Sequence, residues 1–428
     1  MRHPITCPRP FACASVAFAG VMASLACSPS SRLLAQEPAR VLVETLREEQ
    51  IPVALRVELQ DRVAATIETS ELRRTPPANA LRRFLIDLGS GPVLTASLAR
   101  TDAPGSQFGW SGRLEGVAAS SVVLVSAANQ KVFGTIQVGD TIFYLEQIAG
   151  KIHSIHRELQ SSPSELPPDP PPGGADAEMD AAMDLPPLRE CPPVTVDVLV
   201  VYTPRAKAAS VGRELGWTMA ERVRVAQEET NLALRNSGVP HKVRLLGPIE
   251  VQYTESGDLR TDRDRLSNST DAYLPTVHDL RRQYGADVVS LWVGGYQGVC
   301  GIAYIVTQPQ MNSNGGFHVV AVECATRERS FPHELGHNFG LVHDRDNTDR
   351  PGAEEWSYGY RDPLVSFRDI MARSEGCAIC NRYLNFSNPG VFFKGRATGI
   401  DPRRDRERSA FTASTLRKTM CNVAQWHP

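Results

Sequence analysis

The run His333–Asp344 (HELGHNFGLVHD) constrains the fold more than any other part of the chain. Its first two histidines, His333 and His337, are four positions apart, so on an α-helix both imidazoles lie on one face and can reach one metal ion. Gly340 can adopt a positive φ, which ends the helix and turns the chain back so that His343 reaches the same point. The run therefore predicts a helix, a glycine turn and three imidazole ligands around one ion.

These ligands predict a catalytic Zn2+ site. Three protein ligands leave a fourth position open for water, which is typical of a catalytic zinc rather than a structural one, and zinc lowers the pKa of that water to about 7. Glu334 follows the first ligand and can act on the water as general base. A bare HExxH occurs by chance in many helices. The chain has only ten histidines in 428 residues, however, so three at this spacing favour a metal site. The predicted metal ligands are His333, His337 and His343, and the predicted catalytic residue is Glu334.

The same run resembles the extended zinc motif of the metzincin metalloproteases. Asp344, directly after the third histidine, is similar to the reprolysin/adamalysin branch. The resemblance implies that Asp344 supports the site through backbone contacts and that a methionine turn lies beneath the metal. Met371, in the segment 369–372, matches that turn. Residues 385–390 and Gly395 resemble the segment after the turn in bacterial peptidyl-Asp metalloendopeptidases.

The fold class that the resemblance implies is α/β (α+β), with a mixed twisted sheet flanked by helices over residues 190–428. Apolar and β-branched runs agree with it, because strands and helices alternate along this half of the chain. Strands are predicted at 194–202, 243–251, 287–293, 302–306 and 318–323, one of the last two at the sheet edge. Helices are predicted at 206–237 and 274–284, and the helix that carries the histidines is predicted to begin near Arg327.

Residues 1–35 have the pattern of a signal peptide. Two arginines precede an uncharged run over residues 11–26, which is short for a spanning helix but suits a signal-peptide core. Cleavage after Ala26 and cleavage after Ala35 both remain open. Cys27 offers a lipid anchor as an alternative, although the leucine before it stands one position too close. The pattern predicts a secreted protein, with a periplasmic or lipid-anchored location as the alternatives.

Residues 36–162 contain short apolar runs separated by Gly, Asp and Asn turns, which predicts a mainly β domain. Because this segment lies between a signal peptide and a protease, it is interpreted as a propeptide, and a freestanding binding module is the alternative. Residues 163–189 are rich in proline and then in acidic residues and alanine, so they cannot bury a core. They predict an extended linker with activation cleavage between Gly174 and Arg189.

Export changes the interpretation of the cysteines, because disulfides form outside the reducing cytosol. Of the nine cysteines, six lie beyond the signal peptide, and an even number favours three disulfides. The favoured pairs are Cys191–Cys421, Cys300–Cys324 and Cys377–Cys380. Cys191 has a second interpretation, as a thiolate that blocks the metal in a latent form. The Cys377–Cys380 pair is also compatible with a metal-binding or redox CxxC.

Composition limits the classes of molecule that the protein could bind. A net charge of −2 with 22% charged residues argues against a nucleic-acid-binding protein. After the N-terminal segment, no apolar stretch is long enough to span a bilayer. His278 and His318 are interpreted as ordinary hydrogen-bond partners or surface residues rather than as ligands. The predicted partners are protein or peptide substrates and the chain's own inhibitory propeptide, and a monomer is expected.

The leading interpretation is a secreted zinc-dependent endopeptidase, of EC 3.4.24 type, made as a latent zymogen. The resemblance implies cleavage beside acidic residues, and three arginines near the methionine turn offer a cation for such a side chain: Arg368, Arg373 and Arg382. A non-catalytic metzincin-fold binding protein is one alternative, although this chain retains Glu334 and all three histidines. A zinc hydrolase of small amides is the other alternative.

Overall fold

The computed structural model describes residues 38–52, 54–56, 62–73, 80–102, 108–127, 131–160, 166–172, 187–211, 216–295, 298–310, 313–377 and 379–427. The predicted signal peptide, with Cys27 and both candidate cleavage sites, lies outside these ranges, as do residues 173–186 of the predicted activation segment. Within the described ranges, no helix combines the length and the apolar character that crossing a bilayer requires.

The described part of residues 40–159 is a β-barrel with a short helix, α1 (Thr69–Arg73). Its strands are β1 (Arg40–Thr45), β2 (Val63–Ile67), β3 (Leu81–Ile86), β4 (Leu94–Asp102), β5 (Phe108–Leu114), β6 (Ser120–Ser126), β7 (Val132–Val138), β8 (Thr141–Ala149) and β9 (Ile152–Leu159). Neighbours are antiparallel except β1 and β3, whose parallel pairing closes the barrel. A mainly β region is confirmed, whereas closure into a barrel has no counterpart in the sequence pattern.

The barrel has a hydrophobic core of its own, because alternate strand residues point inward. Phe84 and Trp110 are fully buried there and meet edge to face, with ring centroids 5.4 Å apart. The Trp110 indole nitrogen donates to the Leu72 carbonyl oxygen at 3.0 Å. The polar end of this large side chain is therefore satisfied inside the core.

The second half of the chain contains a five-stranded sheet. Its strands are β10 (Thr195–Tyr202), β11 (Lys242–Glu250), β12 (Val288–Val293), β13 (Gly301–Ala303) and β14 (Phe317–Ala321). The spatial order is β11, β10, β12, β14 and β13, and all neighbours are parallel except β13, which runs antiparallel to β14 at the edge. The five predicted strands coincide with these apart from small differences at their ends. The mixed sheet and its edge strand are therefore confirmed.

The helices of this half are α2 (Pro204–Val211), α3 (Met219–Asn236), α4 (Leu259–Ser267), α5 (Pro275–Tyr284), α6 (Cys324–Arg327), α7 (Ser330–Asn338) and α8 (Thr412–Val423). The prediction of one helix over 206–237 is wrong. Thr218 starts α3 afresh, because its hydroxyl accepts from the Glu221 amide at 3.3 Å and the Glu221 carboxylate accepts from the Thr218 amide at 2.9 Å. Helix α7 begins at Ser330 because the φ of Arg329, 57°, interrupts the chain after α6.

Short ribbons and three disulfides complete this half. The ribbon strands are β15 (Arg361–Asp362), β16 (Phe367–Arg368), β17 (Asn381–Arg382), β18 (Asn388–Phe393) and β19 (Arg396–Thr398). The disulfides are the favoured pairs, with Cα separations of 6.0 Å for Cys191–Cys421, 5.5 Å for Cys300–Cys324 and 5.4 Å for Cys377–Cys380. Because Cys191 is bonded to α8, its alternative role as a thiolate ligand is excluded.

Helix α3 lies between the barrel and the sheet. Its apolar residues, such as Val223, share one core with Phe133 and Tyr144 of the barrel. A buried hydrogen bond adds to this contact, in which the Thr135 hydroxyl donates to the Glu229 carboxylate at 2.8 Å. The barrel and the sheet domain are therefore packed together through apolar and polar contacts.

Candidate metal centre and active site

Three imidazole nitrogens converge at the end of α7. The Nε2 atom of His333 is 3.1 Å from that of His337 and 3.2 Å from that of His343. All three side chains are buried, and their candidate ligand atoms lie within 4.8 Å of one another. Nitrogens that ligate a tetrahedral zinc at about 2.0–2.1 Å are about 3.3 Å apart, so this donor set fits that ion.

The local sequence explains the convergence. Helix α7 brings His333 and His337 to one face, one turn apart. Gly340, with a φ of 84°, ends the helix, and a Cβ atom there would come within 2.8 Å of the Val306 carbonyl oxygen. Glycine is therefore required at this turn, which carries the chain to His343. The three histidines named from the sequence are brought together.

Backbone carbonyl groups orient two of the rings. The Nδ1 atom of His333 is 2.8 Å from the Ile370 carbonyl oxygen, and that of His337 is 2.8 Å from the Leu341 carbonyl oxygen. A ring nitrogen that donates to a carbonyl carries the proton, which leaves the Nε2 lone pair for a metal. Both rings therefore present the atom that a metal ion requires.

Glu334 lies beside this cluster and is fully buried. The edge strand β13 passes directly over it, since a Cβ atom added to Gly301 would lie 2.5 Å from Oε1 of Glu334. Glycine allows the strand to approach the carboxylate this closely. Sequence reasoning missed Gly301, and its only signal was a glycine inside a short strand, which indicates a bulge or a close approach.

Met371 lies beneath α7. It is fully buried, and a Cβ atom on Gly336 would be 2.4 Å from its sulfur atom, so the methionine packs against the helix between the two α7 histidines. Asp369 closes the turn, because its Oδ1 accepts from the Ala372 amide at 2.8 Å. Burial raises the pKa of Asp369 to about 7. The methionine turn therefore lies where the resemblance implies.

Asp344 joins the loop after His343 to this turn. Its Oδ1 accepts from the Arg373 amide at 2.9 Å, and its Oδ2 accepts from the Asn347 side-chain amide at 2.8 Å. Arg361 lies 3.5 Å from Oδ2. Burial raises the pKa of Asp344, and the donors around it act in the opposite direction. The backbone contact that the resemblance implies for Asp344 is confirmed.

Asn338, the last residue of α7, ties the helix to the sheet. Its Nδ2 donates to the Tyr304 carbonyl oxygen at 3.0 Å, and its Oδ1 is 2.7 Å from Nδ1 of His318. Burial lowers the pKa of His318 to about 4, so the ring is neutral and donates to the amide. His278 contacts the Leu266 carbonyl oxygen at 3.1 Å. Both histidines are partners within the fold, as predicted, whereas no sequence signal pointed to Asn338.

The arginines near the methionine turn contact nearby backbone and side-chain groups. Arg368 is buried and donates from Nε to the Cys380 carbonyl oxygen at 2.9 Å. Arg382 is buried and donates from Nη1 to the Glu328 carbonyl oxygen at 2.9 Å. Arg373 donates to the Glu375 carboxylate at 2.8 Å. These contacts brace the polypeptide around the turn.

Comparison with known proteins agrees with this geometry. Residues 220–344, from α3 to the end of the histidine motif, match the family described as Metallo-peptidase family M12B Reprolysin-like. A peptidyl-Asp metalloendopeptidase of Stenotrophomonas maltophilia (strain R551-3) is 30% identical over 301 residues, which cover 68% of this chain and 68% of the relative. The chain belongs to the peptidyl-Asp metalloendopeptidase family. A second relative of that name, from Xanthomonas campestris pv. campestris, is 28% identical over 369 residues, which cover 81% of this chain and 82% of the relative.

Family membership makes the chain a metalloendopeptidase, a hydrolase of EC 3.4.24 type, and implies a metal cofactor. This activity excludes the alternative that the chain is a non-catalytic binding protein. One solved structure, of a chaperone–substrate complex, shares 17% identity with a TM-score of 0.42 over 71% of this chain and 45% of that chain.

Proposed function

We propose that this metalloendopeptidase is zinc-dependent, with His333, His337 and His343 as the ligands and Glu334 as the general base. The observation that carries the proposal is the separation of the three Nε2 atoms, 3.1 Å and 3.2 Å, which suits one tetrahedral ion. A zinc ion supplies Lewis-acid polarisation of the scissile carbonyl and lowers the pKa of water to about 7.

Residues of the chain itself transfer the proton and keep the metal ligands oriented. The Glu334 carboxylate, next to His333 on α7, takes a proton from the attacking water and delivers it to the leaving amine. Its complete burial strengthens these electrostatic interactions, because the surroundings have a low dielectric constant. The Ile370 carbonyl group keeps His333 in the tautomer whose lone pair faces the site. Met371 supports α7 from below at Gly336.

A latent, secreted precursor is the second part of the proposal. Its segments are residues 1–35 as signal peptide, 36–162 as propeptide, 163–189 as activation linker and 190–428 as catalytic domain. Contacts between the barrel and the sheet domain support this organisation. The Trp217 indole donates to the Leu145 carbonyl oxygen at 3.0 Å, and the buried Arg329 donates to the Gln137 side-chain oxygen at 2.8 Å.

The proposed substrates are proteins or peptides that a monomeric enzyme cuts beside acidic residues. The relatives' name, peptidyl-Asp metalloendopeptidase, supports this preference. Positive charge also lies next to the edge strand, where Arg263 of α4 donates to the Ala303 carbonyl oxygen of β13 at 3.3 Å. An acidic side chain near that strand would meet a cation.

Hydrolysis of casein and of short amides by the activated protein, with and without a chelator, tests the proposal. Glu334→Gln should keep its zinc, measured by elemental analysis, and lose about 10²–10⁴-fold in kcat. Glu407→Gln changes an exposed carboxylate and serves as the matched control. Cleavage of small amides with casein left intact would favour the small-amide hydrolase instead. Casein hydrolysis that survives both the chelator and Glu334→Gln would reject a zinc-dependent mechanism.

A further inference from the structure

The edge strand β13 has a partner on each side. Strand β14 pairs with one edge, and residues 166–171 lie along the other. Three backbone hydrogen bonds join this segment to β13 and the residues after it: Leu166 N to Gly301 O at 3.4 Å, Asp169 N to Ala303 O at 3.3 Å, and Ile305 N to Asp169 O at 2.8 Å. The segment therefore extends the sheet as an added strand, parallel to β13.

Proline determines which residues of this segment face β13. Between residues 166 and 172, only Leu166 and Asp169 have a backbone N–H group, because the other five residues are prolines. A polyproline II segment has about three residues per turn, so positions 166 and 169 lie on the same side. Leu166 packs against the apolar core under the sheet. The same composition that predicts an extended linker therefore presents Leu166 and Asp169 together to β13.

Two arginines of α4 bind the Asp169 carboxylate. Its Oδ2 lies 2.8 Å from Nη1 of Arg263 and also contacts Nη1 of Arg260. Arg263 is held in place, because it is almost completely buried, pairs with Asp264 at 2.7 Å and stacks over the Tyr304 ring at 4.0 Å. Burial and then the adjacent charge of Arg263 lower the pKa of Arg260. Two neighbouring cations therefore favour an anion that bridges them.

The arginine pair and the proposed catalytic base, Glu334 of α7, both lie against strand β13. Gly301 of β13 adjoins Glu334, and Tyr304, which pairs with Asp169, is three residues further on. That separation is about 10 Å along a strand. A peptide extended on the outer edge of β13 would therefore present a side chain to the arginines within about three residues of the bond that Glu334 addresses.

We propose that Arg260 and Arg263 form the subsite that selects acidic substrate side chains, and that Asp169 of the chain's own linker occupies this subsite in the latent form. The proposal rests on the endopeptidase function proposed above. Once the linker leaves β13, a substrate carboxylate pairs with the same two guanidinium groups. A neutral side chain brings no negative charge to the two adjacent cations, of which Arg263 also pairs with Asp264, and this difference gives the subsite its discrimination between Asp and Asn.

Selectivity of the full-length protein, activated by linker cleavage with all fragments retained, is the first test. Peptide pairs that differ by Asp or Asn are compared at each position around the cut. The wild type should favour Asp at one position by at least about tenfold in kcat/KM, as a charge-assisted hydrogen bond provides. In Arg260→Gln this ratio should fall to about two, because kcat/KM on the Asp peptide falls more than kcat/KM on the Asn peptide.

Two further variants isolate the charge of Arg260, whose side chain is 40% exposed, so that its replacement should leave the fold intact. Arg260→Lys keeps the cation and should retain most of the preference for Asp. Arg265→Gln is the matched control, since Arg265 belongs to the same helix but contacts Tyr253 and Tyr273 instead of the linker. Its Asp/Asn ratio should equal that of the wild type.

Amide hydrogen exchange supplies a readout that does not need activity. Full-length protein carrying Glu334→Gln should protect the Ile305 amide, which donates to Asp169. Adding Asp169→Asn should speed its exchange at least about tenfold, because the paired carboxylate is lost, whereas adding Arg265→Gln should not. Either an unchanged Asp/Asn ratio in Arg260→Gln or unchanged exchange in Asp169→Asn overturns the proposal. Failure of the proposed function looks different, because no peptide is then cleaved by any form.

Discussion

Gly301→Ala tests whether the approach of β13 to Glu334 controls activity. The new Cβ atom would lie 2.5 Å from Oε1 and 2.6 Å from Cγ of Glu334, whereas ordinary contacts of a Cβ atom begin near 3.4 Å. The strand or the carboxylate has to retreat by roughly 0.9 Å, because a packed interior leaves no free space. A displacement of about 1 Å in an active site costs about 10²-fold in rate. We therefore expect kcat/KM to fall about 100-fold.

Steady-state kinetics on an Asp-containing peptide measures this loss, with zinc content and the unfolding midpoint determined on the same samples. Zinc content should match the wild type, because the change lies on β13 and leaves the histidines of α7 in place. Gly390→Ala is the matched control, since its Cβ atom would meet the Asn388 side-chain oxygen at a tolerable 3.3 Å. A kcat/KM within about threefold of wild type in Gly301→Ala would refute this prediction, because it would mean that the added Cβ atom does not displace Glu334 from its working position.

Three further changes test the helix that carries the histidines, one disulfide and one buried carboxylate. Gly336→Ala forces a Cβ atom to within 2.4 Å of the Met371 sulfur, and zinc affinity in chelator competition should fall at least about tenfold. Replacing Cys191 and Cys421 by alanine opens a disulfide between residues 230 positions apart and should lower the free energy of unfolding by about 2–5 kcal/mol in a denaturant titration. Burial raises the pKa of Glu229 from 4.5 to about 7, so its contribution to stability is complete below about pH 4.5 and is lost as the pH rises toward 7. Glu229→Gln should remove that pH dependence from the unfolding midpoint, and an unchanged profile would contradict the assigned pKa.

The candidate metal centre could be predicted from the sequence to the extent that neighbouring residues determine its geometry. Two histidines four positions apart share a helix face by the geometry of the helix alone. Gly340 supplies the positive φ that the next turn needs, which is also a local property. The position of Met371 came from a resemblance rather than from geometry. These features involve few long-range choices, and the structure retains them.

Contacts between distant segments could not be predicted in the same way. Asp169 and Arg263 are 94 positions apart, and nothing in either local pattern indicates the other. Helix α4 escaped the pattern because its sequence, LRTDRDRLS, is mostly polar and lacks a continuous apolar face. Arg263 of this helix is held by ion pairs, and a pattern of hydrophobic periodicity depends on apolar residues alone. Closure of the barrel depends likewise on the pairing of β1 with β3, which alternation of side chains leaves undetermined.

Two separate sets of contacts hold the proposed precursor together. The barrel contacts the backbone of Arg382, because the Gln160 side chain accepts from its amide and donates to its carbonyl oxygen, both at 2.7 Å. Asp169, a few residues after Gln160, occupies the arginine subsite beside β13. A cut between Gly174 and Arg189 would leave the linker strand joined to the barrel, because both contacts lie on the N-terminal side of the cut. In the proposed precursor the cut therefore removes the covalent tether to the catalytic domain, and we expect β13 to become available to a substrate once the linker strand then detaches from it.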